Sequence, residues 1–152
     1  MHISAKSDYA LRALLTLAAE PGGGAITADA LAARQHLPVK FLENILVDLR
    51  RLGIVTSSRG AGGGYRLGRP PDSISAAEVI RSLEGPLAEV RGLRPEAVVY
   101  EGPAAHLQDV WVAVRAGLRA VLENVTLADI VAGVLPADVA RLTADPDAWT
   151  AH

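Results

Sequence analysis

The sequence predicts a mainly α-helical fold that carries one small β-hairpin, on three observations. A short alanine-rich helical run, a tight turn and a longer amphipathic run follow one another between residues 27 and 52. Directly afterwards, two strand-like runs, 54–57 and 64–67, flank the glycine-rich stretch 60–64. A further amphipathic run, residues 107–125, then comes after these elements with an apolar stripe of its own.

Taken in order, residues 4–19 place Tyr9, Leu11, Leu14, Leu15, Leu17 and Ala18 at helical spacing, and Pro21 with the glycines at 22–24 stops the run. Thr27 is the expected N-cap of the short helix ADALAARQH. Leu37-Pro38 ends that helix and opens the next, where a proline in the first turn costs little. The helix over 38–52 carries Phe41, Leu42, Ile45, Leu46, Leu49 and Leu52 as one apolar stripe, with Gly53 as its cap. The glycines at 60–64 supply the positive φ angles that a hairpin turn demands. Ser75 and Glu78 predict a capping box for a helix through about Leu83, broken by Gly85-Pro86. Residues 87–104, with prolines, glycines and no clean period, read as a long loop with one helical turn. The stripe Leu107, Val110, Trp111, Val114, Leu118, Val121, Leu122, Val125 predicts a long helix, and Thr126 with Asp129 starts a short one after it. The segment after Pro136 reads as a poorly packed tail. The expected organisation is therefore a winged helix-turn-helix unit over residues 1–84, a loop or effector region 85–104, a dimerisation helix and short following helix 105–135, and a tail 136–152.

With 152 residues, half of them hydrophobic, the chain suffices for one packed domain. The net charge of −2 hides a partition. Residues 34–69 hold seven basic and two acidic side chains, a net of +5, whereas residues 70–152 hold six arginines and twelve acids, a net of −6. A locally basic segment on an acidic body suits a phosphate-facing surface, although solvated faces also segregate charge by chance. No apolar run approaches the roughly 20 residues that span a bilayer, and the N-terminus does not resemble a signal peptide, so a cytoplasmic protein without membrane partners is expected. The absence of cysteine excludes a disulfide, a thiolate zinc site and a cysteine-ligated iron–sulfur cluster; no metal site or other cofactor is expected.

Catalytic patterns are poor. His2, His36, His106 and His152 are far apart, and GAGGGY lacks the Lys-Ser/Thr pair with which a phosphate-cradling loop opens a helix. An enzyme is not expected. A helix-turn-helix pair followed by a basic, glycine-tipped hairpin instead has the layout of a winged helix-turn-helix, whose second helix enters the major groove of double-stranded DNA. Lys40, Glu43 and Asn44 then occupy the base-reading turns. Glu43 either accepts a hydrogen bond from cytosine N4 or is a surface carboxylate favoured by the helix dipole. Arg50, Arg51, Arg66 and Arg69 suit phosphate contacts or solubility. At the wing, Arg59 suits a narrow minor groove, Gly62 and Gly63 allow close backbone approach, and Tyr65 is grouped with them. The stripe from Leu107 to Val125 either folds back on its own core or pairs with a second copy; a homodimer matching an inverted-repeat operator is the favoured reading. The rival is a winged-helix protein-interaction module without DNA binding.

The run FLENILVDLRRLGIVTSSRGAGGGYRLGR closely resembles the signature of the IscR/NsrR/CymR-like (Rrf-type) winged helix-turn-helix regulators of bacteria, and SAKSDYALRALLTLA, SAAEVIRSLEG and LQDVWVAVRAGLRAVLENVTLADIV match the same family. The resemblance covers about residues 1–135 and implies a homodimeric transcription factor, usually a repressor, whose long late helices cross at the dimer interface. It also supports Lys40 and Glu43 as major-groove contacts and Arg59 as the wing residue. Many members sense redox state, nitric oxide or iron–sulfur supply through three cysteines in the loop before the dimer helix; here that loop has none. Asp8 and His106 are the residues left for a non-cysteine metal site, a weak ligand set. The loop is better read as part of a pocket for a small-molecule or protein effector, with Tyr100, His106 and Trp111 as candidate lining residues. Ordinary core packing is the competing reading for the two aromatics, and the stronger one for Trp111.

Overall fold

The computed structural model describes residues 2–151. Helices α1 (Ala5–Ala18), α2 (Ala28–Gln35) and α3 (Val39–Arg51) precede the antiparallel hairpin of β1 (Val55–Ser58) and β2 (Gly64–Leu67). Then come α4 (Ala76–Glu84), α5 (Leu107–Leu122), α6 (Leu127–Ala132) and α7 (Ala137–Ala144), the long loop before α5 holding two 3-10 turns, Pro95–Ala97 and Gly102–Ala104.

Helix α1 lies at the centre. Ala10, Ala13, Leu14 and Leu17 recur at i, i+3, i+4 and i+7 and are buried, and the helix contacts α2, α3, α4, α6 and β2. The caps follow the local chemistry. Ser4, Thr27, Ser75 and Thr126 each accept a hydrogen bond from the backbone N–H three residues on. Among the described residues only Thr126 and Asp129 form the reciprocal box; the Glu78 carboxylate turns away from Ser75 and pairs with Arg69. The predicted Ser75–Glu78 box is thus half formed, because a guanidinium is the better partner for that carboxylate.

Between α2 and α3, His36 takes the left-handed conformation, and its N–H and that of Leu37 close onto the carbonyls of Ala33 and Ala32. Leu37 is buried beneath this turn. Arg12 of α1 holds the C-terminal end of α2 through Gln35, whose side-chain amide donates in turn to Thr16 at 2.9 Å.

The hairpin is tied to the core by backbone contacts as well as side chains. Ile26 and Tyr65 exchange N–H···O bonds of 3.0 and 2.8 Å, a single antiparallel bridge that ties the wing to the segment before α2. Gly64 sits against that segment so closely that a Cβ there would lie 2.6 Å from the Ile26 carbonyl, with φ at +141° besides.

Two segments differ from expectation. Helix α5 ends at Leu122, and Val125 is buried in the chain's own fold, its carbonyl accepting from Ala76 N–H at 2.9 Å while Leu127 N–H donates to Ile74 at 3.0 Å. Val125 is therefore not part of a free dimer face. Leu127 joins the same core as α1 and α3, so residues 1–84 do not close that core alone. The tail is helical through α7 and the turn Pro146–Trp149, with Val139 buried; His152 lies outside the described residues.

Replacing Gly64 with alanine puts a methyl group into the Ile26 backbone and forces a disfavoured φ. Thermal unfolding should show a loss of about 1–3 kcal/mol, whereas Gly60→Ala at the open tip, where a Cβ meets nothing within 4 Å, should cost less.

Candidate nucleic-acid interface

At 100° per residue, α3 divides into four faces. Leu42, Ile45, Leu46 and Leu49 point into the core and are fully buried. One flank carries Phe41 and Asp48 toward α1: the Phe41 ring meets Tyr9 edge-on at 5.7 Å, and Lys6 Nζ reaches Asp48 at 2.9 Å. Phe41 is 40% exposed, so it belongs to this seam and not to the core stripe of the sequence reading; Leu52, at the helix end, is likewise exposed. The opposite flank carries Glu43 and Arg50, with Arg50 donating to Ser57 Oγ of β1 at 3.3 Å. The remaining face, with Lys40, Asn44, Val47 and Arg51, points away from the core.

This outward face presents Lys40, Asn44 and Arg51 to solvent. Lys40 is 95% exposed and 3.4 Å from Glu43, which leaves the Glu43 carboxylate within reach of the same surface. Asn44 is exposed with no side-chain hydrogen bond among the described residues. Arg51 stands 3.7 Å from Asp48. On the hairpin, Arg59 and Arg66 are exposed and make no ion pair among the described residues. Arg69, by contrast, is engaged with Glu78. Gly60 and Gly62 adopt positive φ and leave the tip open, whereas Gly63 is pressed against Ser58 and Arg59 of its own loop, so its small size serves the turn first. Tyr65 is half-buried against the core, and its backbone pairs with Ile26; its position makes it a wing anchor, which its aromatic character alone did not reveal.

The other candidate residues separate. Trp111 Nε1 donates to the Tyr100 hydroxyl at 3.1 Å, and Trp111 borders a cavity of about 380 Å³ shared with Ile80, Leu87 and Leu118. Neither Tyr100 nor His106 lines it, and His106 is 95% exposed beside Asp109. The predicted trio is thus not one pocket: helical spacing places Trp111 inward and leaves His106 at the helix start in solvent. On α5 no residue is buried; Leu118 and Leu122 lean on the chain's own α4 side, Val121 is half-buried, and Leu107, Val110 and Val114 are exposed.

A helix-turn-helix with a strand-paired basic wing defines a winged-helix DNA-binding regulator. Residues 3–133 match the Rrf2 family model, described as an iron-dependent transcriptional regulator. The chain belongs to that family, whose members, CymR among them, are transcriptional regulators and not enzymes. It is 48% identical over 145 residues to a Mycobacterium tuberculosis protein provisionally named an HTH-type transcriptional regulator, covering 95% of this chain and 90% of that one. Its similarity to CymR, the global cysteine regulator of Bacillus subtilis, extends to structure, with a TM-score of 0.76 at 36% identity over 88% of this chain and 98% of that one. T. potens IscR superposes with a TM-score of 0.70 at 30% identity, covering 100% and 93%.

The iron in the family description finds no fit in this chain's donors. Cysteine is absent, and among the described residues no three His, Asp or Glu side chains converge to hold a metal. Asp8 is paired with Arg12, and His106 with Asp109. No helix among the described residues is long and apolar enough to cross a membrane.

The Lys6–Asp48 pair links α3 to α1. The Lys6 ammonium, by hydrogen bond and charge, holds the Asp48 carboxyl below its usual value, with Arg51 assisting. A depressed carboxylate pKa stabilises the fold above the ordinary value and loses that effect as pH falls through the depressed one. Carboxyl NMR titration of Lys6→Ala should therefore show Asp48 moving up toward 3.8, and its acid unfolding should lack this component.

Proposed function

We propose that the protein is a homodimeric repressor that occupies an inverted-repeat operator in the bacterial cytoplasm. The observation that carries the reading is the outward face of α3, Lys40, Asn44 and Arg51, standing beside a hairpin whose Arg59 and Arg66 have no acidic partner among the described residues. Asn44 has the amide to bridge adenine N6 and N7, and Glu43 the carboxylate to accept from cytosine N4. Arg50 and Arg51 lie where phosphates flank a helix in the major groove, and Arg59 at the open tip suits the adjacent minor groove. Support for the dimer comes from α5: an amphipathic helix of 16 residues with none buried leaves Leu107, Val110 and Val114 uncovered, a continuous flank that a two-fold copy would cover.

Binding to a promoter fragment that carries the operator, selected from a pool of DNA, should weaken steeply with salt. Arg59→Ala should reduce the slope of log affinity against log salt by about 0.9 for each phosphate no longer neutralised, doubled in a dimer. Glu43→Ala should instead flatten preference at one base position by about 1–3 kcal/mol with little change in non-specific binding. A salt-insensitive titration would mark a protein-interaction module.

Val110 and Val114 are 50% and 47% exposed, so glutamate at both should leave the subunit folded. Sedimentation should then show monomers, and operator affinity should fall at least tenfold. A dimer that survives both substitutions rejects this interface.

A further inference from the structure

We propose that the groove between α4, residues 85–96 and α5 is an effector site for a small dianion, bound by arginine forks. The proposal rests on the regulator reading above for its consequence, not for the binding itself. The groove encloses about 530 Å³, and its charged lining is Arg81, Arg94, Arg115 and Arg119 with Glu96 and Glu123. From residue 70 onward acids outnumber arginines two to one, twelve to six. Four of those six arginines nevertheless converge here, with only two carboxylates among them, an excess of two positive charges.

The internal pairing leaves guanidinium capacity free. Arg119 and Arg81 both bond the single Glu123 carboxylate, and Arg115 bonds Glu96. Arg94 reaches Glu96 only through its field. Each guanidinium offers five N–H donors in a planar fork, so one shared carboxylate cannot saturate two of them. Arginines serving solubility alone would spread outward into solvent; these instead face one concavity from three chain segments. Two surplus charges with forked donors fit a ligand bearing two oxyanionic charges, carboxylate, phosphate or sulfate.

The site stays open when α5 pairs with a copy. At 100° per residue, Arg115 and Arg119 project from the side of α5 beyond Leu122, far around the helix from Val110 and Val114. A bound dianion would tie Arg81 on α4, which packs on α1, to Arg115 and Arg119 on α5. It would thereby set the angle between the DNA-binding module and the dimer rod.

The test is calorimetric and thermal titration of the full-length protein with succinate, inorganic phosphate and sulfate, each against sodium chloride at matched ionic strength. At least one probe should bind saturably and raise Tm beyond the chloride control. Binding should weaken at least tenfold in Arg94→Ala, which breaks no ion pair among the described residues, and further in Arg94→Ala/Arg119→Ala. Arg59→Ala should bind the probe normally despite losing DNA affinity. Which probe binds best identifies the oxyanion. Absence of saturable binding for all three, binding that persists in the double variant, or binding abolished in Arg59→Ala would overturn the proposal. A saturating probe should also shift promoter affinity severalfold in the wild type and not in Arg94→Ala; DNA binding without any probe response fails this proposal alone.

Discussion

The close seat of α1 against its neighbours governs everything else in this molecule. Ala10 and Ala13 are fully buried, and their lack of side-chain bulk lets the surrounding elements approach a single axis. Through that seat the orientation of α3 is set three times over: by apolar burial of Leu42, Ile45, Leu46 and Leu49, by the Phe41–Tyr9 ring contact, and by the Lys6–Asp48 pair. Arg12 does the same for α2 by gripping Gln35. The base-reading role proposed for α3 requires a fixed roll, since a small rotation would replace one set of side chains at the groove with another. Burial alone fixes which side faces inward; the polar and aromatic seams on the flanks resist rotation about the helix axis.

The wing obeys a different constraint. Its strands are too short to be stable alone, and the backbone bridge between Tyr65 and Ile26 ties them to the rest of the fold. This arrangement divides the glycines by role. Gly60 and Gly62 give the tip its turn, whereas Gly64 lets β2 lie against the Ile26 backbone.

Much of this was legible in the chain. The helical periods of residues 4–19 and 38–52, the Thr27 and Thr126 caps, Gly53 and the glycine-tipped hairpin all predict their elements, because each depends on neighbours in sequence. What remained hidden depends on distant partners. Nothing local says that Glu78 prefers Arg69 to its own helix start, or that Tyr65 anchors to Ile26. Val125 continues the apolar period of α5, yet the backbone pairing of 74–76 with 125–127 overrides that period and ends the helix three residues earlier. The arginine groove was invisible for the same reason: Arg81, Arg94, Arg115 and Arg119 are scattered in sequence, and only folding collects them. Charge counted by segment detected the basic surface around α3 but averaged this second one away inside an acidic half.

The fastening of residues 74–76 to 125–127 has a mechanical consequence. It clamps the chain just past the C-terminal end of α5, while the first turns of that helix carry no buried residue. Those turns are held by side-chain contacts to the loop before them, Gln108 to the Glu96 carbonyl and Trp111 to the Tyr100 hydroxyl, and tilting a helix of about 24 Å by about 5° at the clamp displaces its far end by about 2 Å. In the proposed dimer, a rotation too small to disturb the core of a subunit would become a displacement large enough to change how two copies present themselves to one length of duplex.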